Sequence, residues 1–367
     1  MGFDLVGRLL FPSPASSYGP ASFPDELIYV PVWPAGGALA QVPSWPADGA
    51  DGAGGSGSGS GSCGGSSSSS SRPERVEPRR PSCVPCLFLE YPSARFVVLY
   101  IHSNAEDLGR CRPFLTSFRS QFQVHVLAVE YPGYGIASGG PCDEHRATEN
   151  AFAAMRFIRE VLRWPLDSIL VLGRSIGCGP AIRVATKYEV AGLILISPML
   201  SFKALCRDVV GWFAASAFEE RFPNAERIKQ VASPLLVVHG QQDEVIPCRH
   251  GVELFKACRT RKLLVSPPTM AHNTDLLSDV NFLVLPMLQF FALPDYCFEE
   301  LVIPAWAYAP AAGGDDGLEA ELQRHLDPPT VVGGAKTERQ EPSHSVLSTL
   351  RWLLSDAAAA ASSSDTK

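Results

Sequence analysis

The sequence predicts an α/β fold in which a mostly parallel central sheet is covered by helices on both faces. Two observations carry this expectation. Continuous apolar runs such as Phe96–Ile101 (FVVLYI) and Val124–Val129 (VHVLAV) suit strands buried on both sides. Between such runs lie segments with apolar residues three and four apart, and strands that alternate with helices imply parallel pairing through crossover connections.

Leu27–Trp33 (LIYVPVW) reads as the first strand and Val84–Glu90 as the second. Pro34–Pro81 lies between them, and its stretch Gly52–Ser71 is almost entirely Gly and Ser. So few apolar groups cannot offset the entropy of ordering, which predicts a disordered surface excursion. Loop-closure entropy grows only logarithmically with length, so two antiparallel strands tolerate such an insert. After the strands Phe96–Ile101 and Val124–Val129, a helix is predicted from about Asp143 to Arg163, with Ala151, Met155, Ile158 and Leu162 in one stripe. Asp167–Leu172 is the next strand and Pro180–Tyr188 a helix; Leu193–Ile196, Leu235–Val238 and Lys262–Val265 complete the sheet. The segment between Leu195 and Leu235 supplies a small cap. Beyond Tyr296 the pattern fades: Ala311–Ser343 is polar with Gly and Pro, and Ser345–Leu354 suits a short amphipathic helix for docking or partner binding. The chain therefore divides into a lead-in and first strand (1–33), a low-complexity insert (34–83), an α/β core (84–296) and a mostly disordered C-terminal tail (297–367).

Composition narrows the function classes. Of 367 residues, 46% are apolar and 19% charged, and the formal net charge is −7. A nucleic-acid binder needs a basic face, and no Lys/Arg cluster supplies one, so no nucleic-acid partner is expected. The ten cysteines are scattered and no secretory signal is predicted: Met1–Phe11 lacks a basic start, and Arg8 and Pro12 interrupt its apolar run. Free thiols and a cytoplasmic location follow. Cys83-x-x-Cys86 lacks a second Cys/His pair at zinc spacing and reads as plain strand cysteines, so neither metal nor cofactor is expected. Gly2 is followed by Val6 rather than Ser or Thr, a poor myristoylation signal. The most apolar segment, Phe282–Leu293, contains Pro286 and is too short to span a bilayer. Membrane contact, if any, is expected to be peripheral, at the cytosolic face, and the chain is expected to be a monomer.

The chemistry centres on Gly173-Arg174-Ser175-Ile176-Gly177, between a strand and a helix. This is the place of a nucleophile elbow, where flanking glycines leave room for a strained turn that lifts the serine above the carboxyl edge of the sheet. A serine hydroxyl needs a base, and the chain order for this fold is Ser, acid, His. Asp243 follows the strand Leu235–Val238, with Glu244 its nearest rival, and His272 follows the last strand. Ser175, Asp243 and His272 are thus the candidate triad of an α/β-hydrolase fold. The oxyanion hole is expected from the backbone N–H groups of Ile176 and of Asn104, in the loop His102-Ser103-Asn104-Ala105. His102 reads as structural, His239 as packing, and the turn Glu130–Gly135 as a wall of the mouth. In the cap, Phe202, Trp212, Phe213 and Phe218 are candidates for an acyl groove.

The stretches IHSNAEDLGR, EYPGYG, LGRSIGCGPAIRVA, FPNAERIKQVASPLLVVHGQQDEVIP and MAHN, with the lead-in GRLLFPSPASSY, resemble the alpha/beta-hydrolase domain-containing 17 family of protein depalmitoylases. The resemblance covers roughly residues 7–33 and 84–295. It implies the triad Ser175, Asp243 and His272, no metal or cofactor, and an S-acylated protein or related acyl ester as substrate. The chain departs from the family pattern in Ser103, where Gly is usual, in the Gly/Ser insert, and in having no cysteine before Cys63 to match the family's cysteine-rich N-terminal segment, so the sequence leaves the mode of membrane anchoring open. The residues alone leave open a lipid esterase, a monoacylglycerol-type lipase or a serine peptidase, and, in another class, a non-catalytic scaffold.

Overall fold

The computed structural model describes residues 10–32, 83–104, 106–297 and 300–308. The Gly/Ser insert and the amphipathic segment Ser345–Leu354 lie outside the described residues. Eight strands form one sheet: β1 (Leu27–Pro31), β2 (Cys83–Leu89), β3 (Val97–Ile101), β4 (His125–Val129), β5 (Ile169–Arg174), β6 (Gly192–Ile196), β7 (Leu235–Val238) and β8 (Lys262–Val265). Their order is β1-β2-β4-β3-β5-β6-β7-β8. β2 runs antiparallel to both its neighbours, and every later pairing is parallel. This is the α/β-hydrolase fold that the sequence predicts.

The continuous apolar runs are explained by a core on each side of the sheet. Val97, Leu99 and Ile101 of β3 pack into one core, while Val98 and Tyr100 pack into the other. β7 divides the same way, with Leu235 and Val237 on one face and Leu236 and Val238 on the opposite one. Alternate side chains of a strand point to opposite faces, so a strand covered on both sides needs apolar residues at every position. Each such Val, Leu or Ile contributes roughly 1.5–3 kcal/mol by leaving water.

Helices α1 (Leu108–Phe122), α2 (Glu144–Arg156), α3 (Cys178–Ala185), α4 (Phe202–Ala215), α5 (Asn224–Arg227), α6 (Arg249–Ala257) and α7 (Val284–Phe291) complete the described elements with a few short turns. α1 has no counterpart among the sequence expectations. Its apolar face, Leu108, Leu115, Phe118 and Phe122, covers the second core, and Asp107 caps its first turn by accepting from the Arg110 amide at 3.0 Å. The helix predicted over Asp143–Arg163 is shorter: Asp143 is its N-cap, the α-helix ends at Arg156, and a π-turn follows over Phe157–Val161. The strand predicted at Asp167–Leu172 lies at Ile169–Arg174, preceded by a 3-10 turn over Leu166–Ser168. Past Tyr296, in the stretch assigned to the tail, Leu301, Trp306 and Ala307 are buried in the first core.

One histidine of the sheet couples stability to pH. His125 at the start of β4 is buried, its Nδ1 accepts from the Tyr91 amide at 3.3 Å, and its Nε2–H donates to the Ala94 carbonyl at 3.1 Å. Burial pushes the imidazole down to about 4, only partly countered by the Ala94 carbonyl. The unfolded chain, with an ordinary value near ~6.5, binds this proton first, so acid favours unfolding. Stability should fall by about 3 kcal/mol between pH ~6.5 and ~4 through this group, and then level off. Urea unfolding of wild type and His125→Gln across that interval checks it: the variant should lose this part of the slope, and an unchanged slope refutes the assignment.

Candidate active site

The elbow is built as the spacing demands. β5 ends at Arg174, a single 3-10 turn covers Ser175–Gly177, and α3 begins at Cys178. Ser175 has a φ of 54°, a left-handed conformation that costs a side-chain-bearing residue energy and that the surrounding turn must impose. A Cβ on Gly177 would lie 2.2 Å from the Ile101 carbonyl oxygen, and one on Gly173 would lie 2.5 Å from that of Gly177. Both glycines of the motif are therefore required by close backbone approach.

Ser175, Asp243 and His272 converge above the carboxyl ends of β5 and β7. His272 Nε2 is 3.1 Å from Ser175 Oγ, and His272 Nδ1 is 2.9 and 2.8 Å from the two oxygens of Asp243. An ionised carboxylate only accepts, so the Nδ1–H donates to Asp243, and the bare Nε2 can accept from the serine hydroxyl. All three residues are buried, at 7–8% exposure. Asp243 Oδ1 also accepts from the backbone N–H groups of Val245 (3.0 Å) and Ile246 (2.8 Å). Burial alone would raise its carboxyl, but hydrogen bonds from His239, His272 and the Ile246 amide outweigh it and hold the group far below the usual carboxylate range. The rival Glu244 is exposed, and its carboxylate meets the backbone N–H of His272 at 3.4 Å rather than the ring. The two loops lie back to back: Gln242 N–H donates to the Met270 carbonyl at 3.1 Å, and a Cβ on Gly240 would lie 1.9 Å from that same oxygen.

His239 is more than a packing residue. It is fully buried, its Nε2–H donates to the Ile246 carbonyl at 2.8 Å, and the same nitrogen lies 3.4 Å from Asp243 Oδ2. It braces the turn that carries the candidate acid, Asp243. A histidine at a strand end, four residues before a candidate acid, is the sequence signal for this brace.

His102 is structural, as its pattern suggests, and its partner is Glu130. Both side chains are fully buried, with His102 Nε2 3.0 Å from Glu130 Oε1 and His102 Nδ1 2.9 Å from the Ser103 carbonyl. Burial lowers the imidazole pKa, but the hydrogen bond and charge of Glu130 win and raise it. Glu130 further accepts from the Tyr18 hydroxyl (2.8 Å), the Leu108 amide (3.1 Å) and the Tyr131 amide (3.2 Å). The turn expected to line the mouth is thus internal: Glu130, Tyr131 and Tyr134 are all completely buried. The turn supports the loop His102–Asn104 from beneath, with Tyr131 Oη donating to the His102 carbonyl at 2.7 Å and Tyr134 Oη to Asn104 Oδ1 at 3.2 Å.

Ser175 opens onto a cleft of about 780 Å³. Its lining includes polar side chains, among them Ser103, Asn104 and Arg174, and apolar ones, among them Phe202, Leu205 and Phe218. Ile176 and Asn104, the two expected oxyanion residues, both line this cleft. Of the four cap aromatics singled out in the sequence, Phe202 and Phe218 line it, at 5.9 Å from each other and edge to face. Trp212 and Phe213 do not; they are 65% and 87% exposed. Leu10 of the lead-in also lines the cleft, far in sequence from Ser175, and no local pattern announces it. Among the described residues, no group of three or more His, Cys, Asp or Glu side chains is arranged to hold a metal ion. Among the same residues, no helix is long and apolar enough to cross a membrane.

Several known proteins are similar to this chain over part of its length. Residues 113–204 match a family model described as an alpha/beta hydrolase of unknown function. Alpha/beta hydrolase domain-containing protein 17C of Xenopus tropicalis is 33% identical over 181 residues, which are 49% of this chain and 57% of that protein. Protein 17B of Homo sapiens is 33% identical over 180 residues, 48% of this chain and 60% of that protein. The chain therefore spans about three-fifths of the length of these curated relatives, 57% and 60% in the two cases. Among solved structures, the alpha/beta hydrolase GrgF from Penicillium sp. sh18 aligns with a TM-score of 0.48 at 12% identity, over 57% of this chain and 94% of that one. By its sheet order and its elbow this chain has the α/β-hydrolase fold, and over about half its length its sequence is similar to the alpha/beta hydrolase domain-containing 17 proteins.

Proposed function

We propose that the chain is a serine hydrolase that cleaves acyl thioesters or esters, with an S-acylated protein at the cytosolic face of a membrane as its substrate. The observation that carries the reading is the 3.1 Å approach of His272 Nε2 to Ser175 Oγ in a cleft lined by both polar and apolar side chains. Ser175 Oγ attacks the acyl carbonyl carbon while His272 Nε2 takes its proton. The carbonyl oxygen becomes an oxyanion, held by the backbone N–H groups of Ile176 and Asn104. The bond to the leaving sulfur or oxygen then breaks, and His272 returns the proton to it. Water, deprotonated by His272, attacks the acyl-enzyme carbonyl; the acyl–Oγ bond breaks, the fatty acid leaves, and His272 returns the proton to Ser175 Oγ. Asp243 keeps His272 in the tautomer that both half-reactions need. The apolar lining receives the acyl chain, and the polar lining faces the leaving group.

The alternatives of a lipid esterase, a monoacylglycerol-type lipase and a peptidase share this chemistry and differ in the group that leaves. A fluorophosphonate probe tests the nucleophile directly: wild type should label and Ser175→Ala should not. Equal labelling of the two, or none of wild type, defeats the catalytic reading. Turnover of an S-palmitoylated peptide against monoacylglycerol and aminoacyl substrates tests the substrate class. A preference for either of the latter replaces the thioester reading.

A further inference from the structure

The apolar wall of the cleft is carried by the first half of α4, which crosses the cap and is broken at Gly211, where φ is 82°. Leu205, Cys206, Val209 and Val210 turn toward the cleft, and Val209 and Val210 are still 74% and 51% exposed at its rim. Contacts at the rim alone are thin for holding a helix at a fixed distance from Ser175. The start of α4 is fixed, since the Phe202 amide donates to the Arg221 carbonyl at 2.9 Å and the Ser201 hydroxyl accepts from the Ala204 amide at 3.1 Å. The middle of the helix is held differently.

Asp208, on the side of α4 away from the cleft lining, is only 15% exposed in its side chain. Its Oδ2 lies 2.5 Å from Nε2 of His250, a residue of α6 that is 1% exposed, and its Oδ1 contacts the Arg249 guanidinium. His250 Nδ1 accepts from the Leu200 amide at 3.1 Å. A nitrogen that accepts an N–H bears no proton of its own, so His250 is a neutral imidazole whose single N–H donates to Asp208. The ring thereby ties the β6–α4 connection, at Leu200, to the middle of the cap helix. A hydrogen bond between a buried donor and a charged acceptor is among the stronger neutral-to-ion contacts, and losing either partner leaves the other unsatisfied.

We propose that the Asp208–His250 pair is a latch that sets the width of the acyl side of the cleft and so determines acyl-chain-length preference. The inference rests on the hydrolase reading for its substrate. With the latch closed, Leu205, Cys206 and Val209 stand against a long acyl chain. With it released, α4 moves away from the cleft and those contacts are lost, while a two-carbon acyl group never reaches them. Asp208 and His250 are positioning residues, and neither touches the reacting atoms.

Two measurements on the full chain test the latch. The first compares kcat/KM for p-nitrophenyl esters from acetate to palmitate in wild type, Asp208→Ala and Asp208→Asn. Asp208→Ala should lower the palmitate-to-acetate ratio by about tenfold, mainly through KM, while acetate turnover stays within about twofold. Asp208→Asn keeps an oxygen that accepts from His250 Nε2–H and should retain the wild-type ratio. A parallel fall for every ester in Asp208→Ala, an unchanged ratio, or an equal shift in Asp208→Asn overturns the proposal. The second measurement is hydrogen exchange of residues 202–210, which should speed up in Asp208→Ala and not in Asp208→Asn, with the β5 amides unchanged. Unchanged exchange in α4 refutes the latch whatever the activity. Faster exchange in a protein that neither hydrolyses esters nor labels with fluorophosphonate would instead keep the latch and remove the hydrolase reading.

Discussion

Replacing Asp243 with Asn is expected to leave a folded protein whose ester turnover falls by about four orders of magnitude. The fold survives because the Asn side-chain oxygen can still accept from the Val245 and Ile246 amides, which Asp243 Oδ1 holds at 3.0 and 2.8 Å. Its NH2 group then faces His272 Nδ1 at the nearer of the two oxygen positions, 2.8 Å away, while the remaining oxygen, 2.9 Å from Nδ1, is already engaged by the two amides. Two donors cannot share that line, so the ring moves its hydrogen to Nε2. A protonated Nε2, 3.1 Å from Ser175 Oγ, cannot take the serine proton. Catalysis fails through the tautomer rather than through lost structure. The rival acid gives the control. Glu244 is exposed and meets only the His272 amide, so Glu244→Gln should keep turnover within about twofold. Thermal melts and kcat/KM of both variants decide the matter. A drop of less than tenfold in Asp243→Asn, with the large loss in Glu244→Gln, would transfer the acid role to the neighbour.

The elements legible in the sequence were those whose cause is local. A strand such as Leu235–Val238 is apolar at every position because it is covered on both faces, so its run marks it directly. The elbow is legible because close approach excludes every residue but glycine at two fixed places around Ser175. Helix α1 is hard to read from sequence because its mean character is polar: Arg110, Arg112, Ser117 and Arg119, none of them buried, alternate along the chain with the apolar residues of its inner face. Glu130, His239 and Asp208 could be seen as residues but not as partners. Their meaning comes from Tyr18, Ile246 and His250, respectively, and two of those pairs join residues 112 and 42 positions apart. A charged group directly after a fully apolar strand, as Glu130 follows Val129, is the one local clue that a buried partner must exist. The same holds for the cap, where apolar character alone did not separate Phe202 and Phe218, which line the cleft, from Trp212 and Phe213, which face solvent.

Removing the Glu130 carboxylate should be the most damaging single change to stability outside the hydrophobic core. Its two oxygens collect donors from four parts of the chain: Tyr18 in the lead-in, His102 after β3, Leu108 at the start of α1, and Tyr131 in its own turn. With Glu130 and His102 both at 0% exposure, no water stands ready to replace the lost acceptor. Glu130→Ala should therefore cost about 3–5 kcal/mol, the penalty for breaking a buried pair and leaving one charge behind. Glu130→Gln keeps the volume and one acceptor oxygen, yet turns an NH2 group toward donors. Tyr18 Oη can rotate to accept from it, whereas the Leu108 amide cannot, so a loss of about 1–3 kcal/mol follows. The pH dependence carries its own sign. His102 has its folded pKa raised, so its contribution is complete below the unfolded value near ~6.5 and is lost as pH rises through the higher folded value. The stability gap between wild type and Glu130→Ala should accordingly narrow on the alkaline side. Urea unfolding at several pH values measures it: a cost below about 1 kcal/mol refutes the hub, and a gap independent of pH refutes a charged His102. The Gln variant extends the test to catalysis. The His102–Asn104 loop rests on this pair and carries Asn104 into the cleft, so a loosened hub should lower kcat with little change in KM. An equal rise in KM would instead mean that the loop shapes substrate binding, and that the developing negative charge at the acyl oxygen is met elsewhere.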